Sequence, residues 1–133
     1  MFRMNDKKKF NNVIKEIIKK SLFTERQIEI LLNQQSFEPV KLDVSRGAYY
    51  RQVSQCNEKM RKYYYTAVLL EGLGITLSDD FNITSQIAQQ ISQIKDQEFV
   101  DSEEQVLNII DTTVKRIASS ELSILKGNED KKN

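Results

Sequence analysis

The apolar positions of this chain recur every three or four residues along most of its length, the spacing of one face of an α-helix. Phe10, Val13, Ile14, Ile17, Ile18 and Leu22 form the first stripe, with Lys15, Lys19 and Lys20 on the other faces, and predict an amphipathic helix over residues 7–21. In FTERQIEILL, Thr24 is set to cap the amide of Gln27 and Gln27 to reach back to Thr24, with Phe23 and Ile28 placed as a hydrophobic staple. A second helix therefore begins at Glu25, with Ile28, Leu31 and Leu32 as its apolar stripe. NQQSFEP stops it, because Glu38 before Pro39 is pushed away from helical angles. A linker of about ten residues follows.

Ser45 caps a third helix over residues 46–71, in which Gly47 falls in the first turn, where glycine is tolerated. At 1.5 Å per residue such a helix runs about 40 Å. Tyr49, Val53, Cys56, Met60, Tyr63, Ala67, Leu70 and Gly74 alternate along it in steps of four and three, the spacing of a heptad seam. A long helix with such a seam needs a partner, and a second copy in a homodimer is the default. Gly72 and Gly74 end the helix, and ITLSDD leads to a fourth one with Ile87, Ile91 and Ile94 on one face. QEFVDSEEQ breaks that helix and starts a fifth, capped by Asp101 or Ser102 and lined by Val106, Ile109, Ile110, Val114 and Ile117. The tail KGNEDKKN has no apolar residue and is expected to be disordered.

With one proline and four glycines in 133 residues, helix propensity is high nearly throughout, and the expected class is all-α. The expected organisation is a basic region with the long third helix over residues 1–75, an acidic helical region over 76–126 and the tail over 127–133. Charge sharpens this division. Lysine and arginine number 14 against 7 acidic residues up to Thr66 and 6 against 12 from Ala67 onward, so +7 and −6 give the total of +1. A basic front suits a polyanion, and a solvated charged face gives the same count.

The residue inventory argues against catalysis. There is no histidine to serve as a triad base or zinc ligand, and the single cysteine, Cys56, stands on the seam, where a small apolar residue is wanted. Gly47, Gly72, Gly74 and Gly127 form neither a phosphate-binding loop nor a dinucleotide-binding turn. The acidic neighbours Asp79 and Asp80, and Glu103 and Glu104, diverge on a helix and suit its first turn. The expectation is therefore a protein that is not an enzyme, with no cofactor and no metal. No apolar run nears the roughly 20 residues a bilayer demands, and MFRMNDKKKF lacks a signal-peptide core. A cytoplasmic protein with no membrane partner is expected.

FTERQIEIL followed by VSRGAYYRQVSQCNEKMR resembles the helix-turn-helix of sigma-factor region 4 and LuxR-type regulators. The first stretch is similar to their L-T-x-R-E-x-E-V-L helix, and Val44, Ser45 and Arg46 with Lys59, Met60 and Arg61 stand where that class has V-S-R and K-L-R. Between Leu32 and Val44 the chain departs from the pattern, with NQQSFEPVKLD in place of a middle helix. The resemblance implies a transcriptional regulator that binds double-stranded DNA, with the helix from Arg46 as recognition helix. Arg46, Tyr50 and Arg51 would then lie near its start, where base edges are reached, and Lys59, Arg61 and Lys62 further along, where phosphate is met. Tyr49, Val53, Cys56, Met60, Tyr63, Ala67 and Leu70 would form the dimer interface. The same seam also fits a helical scaffold or adaptor that self-associates and binds another protein.

Overall fold

The computed structural model describes residues 10–36, 42–76 and 78–119. Among them the chain forms five α-helices and no strand: α1 Asn12–Lys19, α2 Glu25–Gln34, α3 Arg46–Gly72, α4 Ser78–Ile94 and α5 Glu103–Ser119. The class is all-α, with a long helix at the centre of the chain. Lysines 7 to 9, Pro39 and the tail from Gly127 lie outside the described residues. The chain divides into two compact units, Met1–Thr76 and Leu77–Asn133.

Local chemistry sets the helix starts of the first unit. The Asn11 carboxamide accepts from the Ile14 amide at 3.0 Å and caps α1. At α2 the reciprocal box forms: Thr24 Oγ1 accepts from the Gln27 amide and Gln27 Oε1 from the Thr24 amide, each at 3.1 Å. Ser45 Oγ accepts from the Ala48 amide at 3.1 Å and opens α3 one residue later. Each of these caps has extended backbone, which aims its side chain at the free amides of the first turn. At the other end of α3, Gly74 takes φ +74, and its amide bonds the Glu71 carbonyl while the Ile75 amide bonds that of Leu70. This is the Schellman arrangement, which satisfies the last carbonyls of the helix.

Helix α2 packs on both α1 and α3. Ile30, Leu42 and Cys56 form the buried centre of the second contact, with Leu31, Val44, Tyr49 and Val53 against them. The inward face of α2 differs from the expected stripe: Gln27 and Ile30 are buried, whereas Leu32 is 51% exposed. Gln27 is drawn inward by polar partners on α3, described below, and one turn later Ile30 follows on the same side. Leu22, expected in the first stripe, is also exposed. It falls after α1 ends at Lys19, so helical spacing no longer fixes its direction. The α2–α3 connection covers residues 35–45, longer than the three or four residues of a tight helix-turn-helix turn.

In the second unit α4 packs on α5. Ile87, Ile91 and Ile94 are half-buried on their shared face, and Val100 and Ile110 are buried. Ile109 and Val114, expected on the same stripe as Ile110, are exposed. The start of α5 also differs from the expected cap: Ser102 takes φ +58, a left-handed conformation, instead of the extended backbone of the three caps above.

Candidate nucleic-acid interface

Helix α3 places the expected site residues by its pitch. Successive side chains turn by about 100°, so Gln52, Gln55, Cys56 and Lys59 share the face toward α2. Tyr50, Ser54, Glu58 and Arg61 fall away from that face, and Arg51 and Lys62 stand on its flank, beyond Gln55. Cys56 is fully buried, Gln52 and Lys59 are half-buried, Gln55 is exposed, and Tyr50, Arg51, Ser54, Glu58, Arg61 and Lys62 are all exposed. Arg46, at the first position of α3, is exposed as well.

Arg46, Arg51 and Lys62 have no hydrogen bond or ion pair with other described residues, so their charges face solvent. The Tyr50 ring meets that of Tyr49 edge-on, with centroids 5.8 Å apart. Arg61 pairs with Glu58 one turn earlier on the same exposed face. That contact puts a carboxylate among the bases of the outward face and takes up part of the Arg61 charge.

Lys59 lies elsewhere. Its ammonium donates to the Leu22 carbonyl and to Gln27 Oε1, both at 2.7 Å, and stands 5.6 Å from the centre of the Phe23 ring. This lysine reaches inward to the turn between α1 and α2, whereas the sequence reading grouped it with Arg61 and Lys62 toward phosphate. Gln27 is the centre of the contact: its Nε2 donates to Gln52 Oε1 at 3.2 Å and Gln55 Oε1 at 3.3 Å. Cys56 Sγ donates to the Gln27 carbonyl at 3.7 Å. Burial pushes the Cys56 thiol pKa up, against the opposing pull of the Lys59 ammonium. The sequence assigned Gln27 only to the capping box and gave Gln52 and Gln55 no role. Their shared face with Cys56 and Lys59 is the signal that was there to read.

The seam residues divide along α3. Tyr49, Val53 and Cys56 pack inside the first unit against Ile30 and Leu42. Met60, Ala67 and Leu70 are half-buried, and Tyr63 is exposed. Around them Tyr64, Tyr65, Val68, Leu69 and Leu73 are exposed too, so the last third of α3 bears apolar and aromatic side chains on every side.

Among the described residues no three cysteine, aspartate or glutamate side chains gather into a metal site, and no helix is long and apolar enough to cross a membrane. No known protein family, curated protein or solved structure matches the chain.

Proposed function

We propose that this chain is a DNA-binding protein that acts as a transcriptional regulator, with the N-terminal half of α3 as its reading helix. The observation that carries this reading is the outward face of α3. Tyr50 and Arg51 are exposed on the side of α3 turned away from Cys56, with Arg46 exposed at its first turn and Lys62 exposed on its flank, the three cations unpaired among the described residues, while the Cys56 side is fixed to α2. Arginine near the start of a helix suits a guanine edge, to which it donates two bonds at O6 and N7. Lys62, three turns along, suits phosphate. The excess of basic residues up to Thr66 supports the same partner.

The reading includes a homodimer held through the last third of α3 and the C-terminal helices. A second reading, a helical adaptor that self-associates and binds another protein, is favoured by the uncharged run YYYTAVLL over residues 63–70. A mobility-shift titration of the full chain against a random-sequence duplex, repeated at rising salt, separates the two. DNA binding predicts retardation at low salt and a steep linear loss of log affinity with log salt. Absence of retardation at low salt leaves the adaptor reading in place.

A further inference from the structure

The Lys59–Gln27 contact has a geometry that core packing alone does not provide. Apolar contacts such as Ile30 against Cys56 are non-directional and tolerate a small roll of one helix on another. Hydrogen bonds weaken steeply as their angles open. Four side chains of α3, spaced over two turns, bond to one buried glutamine or its carbonyl, and the last of them bonds to the Leu22 carbonyl as well. Gln27 is in turn held from its own side, since Thr24 engages both its backbone amide and its carboxamide oxygen. The Ser21 hydroxyl accepts from the Phe23 amide at 3.0 Å and orders the turn that receives Lys59.

From this geometry we infer that Lys59 and Gln27 are positioning residues that fix the roll of α3 about its own axis. They thereby decide which side chains the outward face presents to DNA. The inference rests on the DNA-binding reading and goes beyond it: Lys59 acts through Arg46, Tyr50 and Arg51 and touches no nucleic acid. The Lys59 ammonium cannot turn to a phosphate without giving up its two short bonds to the Leu22 carbonyl and Gln27 Oε1. Roll matters because one residue of helix is about 100°, and a productive contact tolerates only about 10–20°.

The test selects preferred sites from a pool of random duplexes with the full-length wild type and with Lys59→Met, Lys59→Arg and Lys62→Met. Thermal melting of each variant is followed in parallel. The Lys62→Met protein should select the wild-type sites and lose about 0.9 from its salt slope, as one phosphate contact does. The Lys59→Met protein should keep the wild-type slope, lose base preference and bind the wild-type site about tenfold more weakly, the size of one charge-assisted bond. Lys59→Arg, which retains donors for both acceptors, should restore the preference. A Lys59→Met protein that selects wild-type sites, or whose slope falls as in Lys62→Met, overturns the inference and leaves the DNA reading intact. Failure of the wild type to select or bind any duplex overturns both. Should Lys59→Met not fold, the pair Gln52→Ala and Gln55→Ala, on less buried residues, carries the same expectation of blurred preference, and unchanged preference there overturns the inference.

Discussion

Cys56 shows how one side chain serves several contacts. It has no exposed surface, lies against Ile30 and Leu42, and donates weakly to the Gln27 carbonyl. Its thiol should resist a disulfide reagent in the folded protein and react once urea unfolds it, and a fast native reaction would place it at the surface. Because burial raises the pKa of the folded thiol, the folded state holds that proton more tightly than the unfolded chain. The contribution is intact below the ordinary value of 9.0 and declines as pH rises past it. Urea midpoints of wild type and Cys56→Ala should therefore converge in alkali. On the outward face the expectation concerns binding. Arg51→Ala, which removes an exposed guanidinium two turns into α3, should cost about 1–3 kcal/mol on a selected site and relax one base position. An equal loss on every sequence would assign Arg51 to phosphate instead.

Helix termini carry the next level of specification, and two of them make opposite predictions. Gly74 holds φ +74 at the end of α3, with open space where a Cβ would stand, so Gly74→Ala meets no clash and pays only for the left-handed backbone. The expected loss is about 1 kcal/mol in a urea titration. Ser102 already bears that cost at φ +58, and Ser102→Gly should raise stability by about 0.5 kcal/mol after the larger entropy of the unfolded glycine is deducted. If both substitutions destabilise equally, the left-handed backbone at Ser102 is not the controlling factor there. The capped starts at Asn11, Thr24 and Ser45 show the alternative solution, in which extended backbone lets a side chain take the first amides.

At the scale of the molecule, the last third of α3 asks for a partner. Tyr65 is 72% exposed, Val68 70%, Leu69 57% and Leu73 66%, on a helix with no charge from residue 63 to residue 70. Helices apolar on all sides are normally buried, and two copies of an uncharged segment meet without like-charge repulsion. Sedimentation should give twice the chain mass for the wild type. Leu69→Asp should return the mass of one chain, since an unpaired carboxylate buried in an interface costs several kcal/mol. A wild type that sediments at the mass of one chain, or a Leu69→Asp protein that keeps the double mass, would remove residues 63–73 from the dimer contact. In the proposed DNA-binding dimer, two-fold symmetry would set two recognition helices on two half-sites.

The sequence by itself determined what depends on neighbours along the chain. The Thr24–Gln27 box, the Ser45 cap and the glycine end of α3 were legible because each is settled within a few residues by local hydrogen bonds and backbone sterics. The outward placement of Tyr50, Arg51 and Lys62 relative to Cys56 followed from helical pitch alone. Periodicity could not decide which of several adjacent stripes turns inward. On α2, Ile28, Leu31 and Leu32 fit a 3.6-residue period as well as Gln27, Ile30 and Leu31 do, and only packing against α3 chose the second set. Lys59 looked like its basic neighbours Arg61 and Lys62 until the turn at Leu22 was folded beside it. The seam read as continuous from Tyr49 to Gly74, but Leu42 and Ile30 cover only its beginning. Those outcomes belong to tertiary structure, because burial and directional bonding depend on residues far apart in the chain, which no local pattern encodes.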